Sequence, residues 1–266
     1  MFLTRALVGL ILVPIVIGLI VIGGWLFELL LILALSAAAI EFVQMMRQDG
    51  FEPPLFFTLI LIISIATDAI FPEANLLRPA VAFTLISSLT WQLAHRSGAP
   101  TVNWALAIIA GLYLGIAGAH FILLRQLPNG DRWLLLAIAG TWFADTGAYL
   151  VGSRIGRHKM TPTLSPKKSW EGLIGGIVLG SLLNMAAAAV LALPHGHGAV
   201  LGLIGATIGT LGDLSISMIK RQVGVKDTGQ LLPGHGGALD RLDSLLFSII
   251  VSYYYIIWIA AAQAAH

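Results

Sequence analysis

The 266-residue chain has no cysteine, and charged residues make up only 11% of it. The first absence excludes a disulfide framework, a zinc knuckle, an iron–sulfur cluster and a thiol nucleophile. The second excludes an ordinary water-soluble enzyme, because such a domain carries about 25% charged residues. Neither sign of charge dominates: 15 Lys and Arg stand against 13 Asp and Glu, a formal net charge of +2. That balance says nothing by itself about a polyanionic partner, and no nucleic acid is expected as one. What the chain does have is apolar surface, with 58% hydrophobic residues and a mean hydropathy of +0.90. So much apolar area cannot be left in water, which excludes disorder. The composition is that of an all-α polytopic membrane protein.

A hydrocarbon core of about 30 Å needs roughly 20 apolar residues per helix. Nine runs qualify as spans: 6–22, 25–43, 54–71, 75–94, 104–124, 133–152, 173–193, 199–219 and 244–262. Only Gly23-Gly24 separates the first two, which predicts a tight hairpin. The first run follows Arg5 but is long for a signal-peptide core and lacks a small-x-small cleavage site, so it is expected to be a retained span. The spans suggest two regions: residues 1–132, with about five spans, and 133–266, with two polar loops at 153–172 and 220–243. Small residues at helix spacing in Gly172–Ser181 and Gly198–Gly212 suit close helix packing.

Lys and Arg concentrate on the cytoplasmic side of membrane proteins. If the N-terminus is inside, 12 of the 15 basic residues fall inside: Arg5, Arg47, Arg96, Arg154, Arg157, Lys159, Lys167, Lys168, Lys220, Arg221, Lys226 and Arg241. Arg78, Arg125 and Arg132 fall outside. The N-terminus is therefore expected in the cytoplasm and the C-terminus outside.

Nine of the fifteen basic residues lie in the two long connections. Orientation alone asks for cationic loops, but it does not explain the carboxylates beside them: Asp145, Asp213, Asp240 and Asp243, with Asp227 in the second loop. A carboxylate within a span costs about 2.5–3.5 kcal/mol on insertion scales, so it marks a functional site by default. Asp213 precedes Arg221 by eight residues, about 12 Å along a helix. Asp240 and Asp243 are three apart and share a helix face. Carboxylates gathered under basic loops suit a hard divalent cation such as Mg²⁺, which binds through one or two carboxylates plus substrate phosphates.

Between these carboxylates runs Lys226-Asp227-Thr228-Gly229-Gln230-Leu231-Leu232-Pro233-Gly234-His235-Gly236-Gly237. Proline and four glycines exclude a helix here, and glycine lets backbone N–H groups approach an anion closely. His235 is able to donate to a phosphate or exchange a proton. Such a loop also serves as a plain turn. Beside Lys220, Arg221, Lys226 and Arg241 it points to phosphate chemistry. The other loop carries Ser165-Pro166-Lys167-Lys168-Ser169-Trp170-Glu171-Gly172, in which Ser165, Lys167, Lys168 and Ser169 offer cations and hydroxyls to an oligophosphate. Asp145-Thr146 adds a polar pair within the sixth span, where an interhelical hydrogen bond is the ordinary alternative. His95, His195, His197 and His266 read as loop or tail residues, and His120 as an interior one.

The segment from Ser217-Met218-Ile219-Lys220-Arg221 through Lys226-Asp227 and His235-Gly236-Gly237 to Asp240-Arg241-Leu242-Asp243 resembles the signature of the phosphatidate cytidylyltransferase (CDP-diacylglycerol synthase) family. Ser165–Gly172 and Phe143-Ala144-Asp145-Thr146-Gly147-Ala148-Tyr149 also resemble it, so that the likeness covers about 100 residues, Thr141–Ser244. Two positions depart from the pattern. Ala238 replaces a larger aliphatic side chain, and Ile216 stands where many members have a carboxylate, so a second cation would not draw on that position.

The resemblance implies transfer of the cytidylyl group of CTP to phosphatidate, giving CDP-diacylglycerol and pyrophosphate, with Mg²⁺, on the cytoplasmic side of a bacterial-type inner membrane. It further implies that Asp213 and Asp240 hold the metal, with Asp243 and Asp227 in support. Lys226, Arg241, Lys167 and Lys168 would neutralise phosphates, and the loop of His235, Gly236 and Gly237 would shape the nucleotide pocket. Membrane lipid and a second copy of the chain, as a homodimer, are the expected partners. Two other readings share some of these residues: a CTP-dependent lipid or polyprenol kinase, and an ion-coupled transporter using Asp145 and Asp213. A transporter is expected to have repeated halves and charges along a path across the membrane. The sequence has neither.

Overall fold

A computed structural model describes residues 2–95, 98–229 and 236–264. His235, with Leu231 to Gly234 of its loop, Arg96 and His266, lies outside the described residues. Among the described residues, ten α-helices run in chain order: α1 (Phe2–Ile22), α2 (Gly24–Gln48), α3 (Leu55–Ile70), α4 (Leu77–Ala94), α5 (Pro100–Gln126), α6 (Gly130–Ile155), α7 (Trp170–Val190), α8 (His195–Ile204), α9 (Thr210–Gln222) and α10 (Leu239–Ala264). Each of the nine apolar runs lies on a helix; α8, a π-helical turn at Gly205–Gly209 and α9 together carry the eighth. Among the described residues, six helices are long and apolar enough to cross a membrane: Gly24–Gln48, Pro100–Gln126, Gly130–Ile155, Trp170–Val190, His195–Gln222 and Leu239–Ile259. The apolar stretches Leu10–Ile22 and Leu55–Ile70 are shorter. Phe83, Ile86, Val190 and Trp258 are among many large apolar side chains left exposed, a surface suited to lipid rather than water.

The helices form where the chain is apolar and stop where it permits a sharp turn. The break between α1 and α2 is short because Gly23 and Gly24 both take positive φ, 70° and 60°, a region glycine enters without steric cost. An antiparallel hairpin joins α6 to α7, pairing β1 (Lys159–Thr161) with β2 (Ser165–Ser169) in the register Lys159↔Ser169 and Thr161↔Ser165. The all-α expectation is thus modified by one short ribbon.

The chain divides into two compact units. One comprises Met1–Leu123 with Gln222–Arg241, and the other Leu124–Arg221 with Leu242–His266. In the first, α5 packs on its neighbours through glycine. A Cβ on Gly111 would lie 2.9 Å from Leu61 Cβ, and one on Gly115 2.7 Å from Ile65 Cδ1. Thr58 of α3 donates to the Ala107 carbonyl (3.1 Å), and the Trp104 indole donates to Ser88 Oγ of α4 (3.0 Å).

In the second unit α6, α7, α8 and α10 meet along small residues. A Cβ on Gly180 would lie 2.9 Å from Ala144 Cα, and one on Gly205 2.6 Å from the backbone of Gly140 and Thr141. Thr141 and Ser248 share a hydrogen bond of 3.0 Å between α6 and α10. Gly205→Ala should therefore lower the thermal midpoint of the detergent-solubilised protein, by the equivalent of about 1–3 kcal/mol for overpacking. Gly196→Ala, whose Cβ meets nothing within 4 Å, should leave it unchanged. Equal midpoints for the two variants would contradict this packing.

Candidate active site

In the second unit, α9 places Asp213, Ser217, Lys220 and Arg221 at i, i+4, i+7 and i+8, one face of a helix. Asp213 opens this row in the first turn of the helix. Its Oδ2 lies 2.6 Å from Lys168 Nζ, a short charge-assisted contact, and its Oδ1 accepts from Ser217 Oγ at 3.1 Å. The Lys168 and Asp213 side chains keep 23% and 30% of their surface, so the pair is shielded but reachable. Arg221 Nε donates to the Leu164 carbonyl (3.2 Å), holding the turn of the hairpin to the last turn of α9. These two contacts seat the hairpin, through Lys168 and the turn at Leu164, on α9.

The hairpin is fixed at its other end by Glu171. The carboxylate accepts from the backbone N–H groups of Arg157 (3.1 Å) and His158 (3.2 Å), and its Oε1 lies 2.6 Å from His158 Nδ1. Ser169 is the N-cap of α7, accepting from the Gly172 N–H at 3.1 Å, and is 3% exposed. Its hydroxyl therefore satisfies a helix end, while Lys167 stays exposed. Beside the hairpin opens a groove of about 730 Å³ lined by Arg157, His158, Lys159, Pro162, Trp170, Glu171 and Ile174. Cations beside an exposed tryptophan suit an anionic head group at a membrane interface.

Lys220 differs from its expected place in the loop. It lies within α9 and is 7% exposed, because the helix continues to Gln222. Basic residues in a last turn complement the helix dipole, which favours that extra turn. Asp145 sits exposed on α6. Asp243, 7% exposed in the first turns of α10, accepts through Oδ1 from the N–H (2.6 Å) and hydroxyl (3.3 Å) of Ser244.

In the first unit, the described parts of the glycine-rich loop gather around Thr228. Asp240 Oδ2 accepts from Thr228 N (2.8 Å), Thr228 Oγ1 (3.1 Å) and Gly237 N (3.0 Å). Gly236 takes φ 80°, and a Cβ there would lie 3.0 Å from Asp240 Oδ2. Lys226, Asp227 and Arg241 are exposed. The sequence reading missed a second carboxylate here: Glu41 of α2, 5% exposed. It accepts from Thr228 Oγ1 (2.9 Å), Ala238 N (2.8 Å) and Leu239 N (3.0 Å). The signal was a carboxylate inside the apolar run 25–43, which holds Glu28 as well.

Among the described residues, no group of three or more His, Asp or Glu side chains is gathered as a metal cage. The donors present are carboxylate and hydroxyl oxygens, which suit a hard cation that completes its shell with water and substrate phosphate.

Residues 3–259 match the model of the Cytidylyltransferase family. A phosphatidate cytidylyltransferase of Synechocystis sp. is 33% identical, over 90% of this chain and 91% of its own. The enzyme of that name from Bacillus subtilis is 31% identical, over 94% of this chain and 96% of its own. One from Staphylococcus aureus is 36% identical, over 64% of this chain and 65% of its own. With both the family match and the Bacillus and Synechocystis relatives spanning nearly its full length, the chain belongs to the cytidylyltransferase family.

Proposed function

We infer that this protein is a phosphatidate cytidylyltransferase: it transfers the cytidylyl group of CTP to phosphatidate, giving CDP-diacylglycerol and pyrophosphate for phospholipid synthesis. The observation that carries this reading is similarity along nine-tenths or more of the chain to two enzymes of that name. In the reaction, a phosphatidate phosphate oxygen bonds to the α-phosphorus of CTP, and the bond from that phosphorus to the β-phosphate oxygen breaks. A phosphate monoester is ionised near pH 7, so it serves as its own nucleophile and needs no general base.

The work left to the protein is positioning and charge neutralisation. Lys167, Lys168, Lys226 and Arg241 neutralise phosphates, with Lys220 and Arg221 supporting the face below them. Asp213, Asp240 and Asp243 are the carboxylates assigned to Mg²⁺, with Asp227 alongside. When bound, Mg²⁺ neutralises triphosphate charge and makes pyrophosphate a better leaving group. His235, Gly236 and Gly237 are assigned to the nucleotide pocket, and Ser165 and Asp145 to the surroundings of the substrates; Ser169, the buried cap of α7, is not among them.

The nine apolar helical runs are taken as nine spans with the N-terminus in the cytoplasm and the C-terminus outside, a reading supported by the distribution of Lys and Arg. That orientation turns both polar loops, and the reaction, to the cytoplasmic face of a bacterial inner membrane. A homodimer is the assembly in keeping with the small-residue helix faces.

Purified protein supplied with radiolabelled CTP, phosphatidate and Mg²⁺ should move label into the lipid phase and release pyrophosphate in equal amount. Chelation by EDTA should stop both, and excess Mg²⁺ should restore them. Lipid phosphate formed from a lipid alcohol, with CDP released, would replace this reading with a kinase.

A further inference from the structure

Glu41 sits in a stretch of α2 dominated by Leu, Ala, Ile, Phe, Val and Met, with Ser36 and Gln44 the other polar residues near it, yet its carboxylate is buried at 5% exposure. Among the described residues it has no ion-pair partner; three hydrogen-bond donors hold it instead. Two are backbone N–H groups, Ala238 (2.8 Å) and Leu239 (3.0 Å), at the start of α10. These are orphan donors of a helix N-terminus, where a negative charge is favoured by the helix dipole. The third is the Thr228 hydroxyl at 2.9 Å. One side chain thus holds both ends of the glycine-rich loop.

The glycines of that loop give an independent sign of the same arrangement. A Cβ on Gly229 would lie 2.6 Å from Glu41 Oε1, and a Cβ on Gly237 would collide with Glu41 Oε2 and Thr228 Oγ1. Neither glycine has positive φ, so backbone conformation does not demand them. They leave room for the carboxylate over which the loop passes.

Thr228 then relays the constraint. Its hydroxyl has one proton to give and lies within reach of both Glu41 Oε2 (2.9 Å) and Asp240 Oδ2 (3.1 Å), while its N–H donates to Asp240 Oδ2 at 2.8 Å. The orientation of Asp240 is therefore set through Thr228 by a residue of the N-terminal helices. We propose that Glu41 is a positioning residue for the nucleotide-binding loop: by holding Thr228, Ala238 and Leu239 it fixes Asp240 and the Lys226–Asp227 turn for the CTP triphosphate. The inference rests on the functional reading above, in which this loop receives CTP.

The test compares wild type with Glu41→Gln, Glu41→Asp and Thr228→Val in the full-length protein. KM for CTP, KM for phosphatidate, kcat and direct binding of CTP with Mg²⁺ would be measured for each, with the thermal midpoint followed in parallel. Gln keeps the size of Glu but turns an NH₂ toward backbone donors, so KM and Kd for CTP should rise about 10- to 100-fold, the effect of losing a charge-assisted hydrogen bond. KM for phosphatidate should stay within about 2-fold. Glu41→Asp, a methylene shorter but still charged, should recover part of the loss, and Thr228→Val should shift the same CTP constants by less.

A Glu41→Gln protein with unchanged CTP constants, whether at full activity or with only kcat and thermal midpoint reduced, overturns the positioning role. A wild type that neither binds CTP nor makes CDP-lipid overturns the functional reading and this inference with it, so the two failures are distinct.

Discussion

Asp213→Asn should abolish CDP-diacylglycerol formation, with activity falling by about 10³-fold or more. Losing one preorganised electrostatic group costs about 10²–10³ in rate, and this residue carries two roles. Its Oδ2 is in contact with Lys168 Nζ and its Oδ1 with Ser217 Oγ, and it is one of three carboxylates assigned to Mg²⁺. Asn has almost the same shape and can still accept from Ser217, but it carries no charge for either the lysine or the cation. Because the carboxylate keeps 30% of its surface, the substitution leaves no buried charge unpaired, and the fold should tolerate it. The measurement is label transferred from CTP to lipid at saturating phosphatidate, with the thermal midpoint as the folding control. Activity above a tenth of wild type in a folded Asp213→Asn protein would remove Asp213 from the metal site.

Asp213 was legible in the sequence because a carboxylate in an apolar helix needs a reason to be there. The same reasoning applies with equal force to Glu41, which the signature pattern obscured by drawing attention to the C-terminal half. Its role could not be read from spacing. Its partners Thr228 and Leu239 lie 187 and 198 residues away, and only tertiary structure brings α2 to the start of α10.

Helix existence was easier to read than local detail. Hydropathy located the long helices, since apolar length is a strong signal, but it ran α8 and α9 together, and Lys220 was placed in a loop because basic residues look like loop residues until the helix dipole is considered. Lys159–Thr161 and Ser165–Ser169 both fall within the polar loop expected at 153–172. Pro166 and two lysines conceal a strand whose pairing is only three and five residues long. Ser169 shows the opposite error of emphasis. A hydroxyl chosen for a possible phosphate turned out to cap α7, and the S-x-x-G spacing to Gly172 cannot tell those tasks apart.

Lys168 should have two effects of opposite sign. Its ammonium contacts Asp213 Oδ2 at 2.6 Å, a carboxylate that would also hold Mg²⁺. In the complex, the same ammonium is assigned to the triphosphate. Lys168→Met keeps most of the side-chain stem and removes the charge. It should raise KM for CTP about 10- to 100-fold, as expected for a lost charge-assisted contact. It should also lower the Mg²⁺ concentration giving half-maximal activity, because Asp213 no longer has a competing cation.

A double-mutant cycle with Asp213→Asn separates this from simple loss of two independent groups. If the residues act as a pair, Lys168→Met should cost much less in the Asp213→Asn background than in wild type, because coupled residues are not additive. Additive losses, or a Mg²⁺ requirement that rises when Lys168 is removed, would mean that the lysine does not guard the metal-binding carboxylate and serves CTP alone. With the expected opposite shifts, Lys168 would then serve both the Asp213 carboxylate, which it contacts, and the phosphates of CTP.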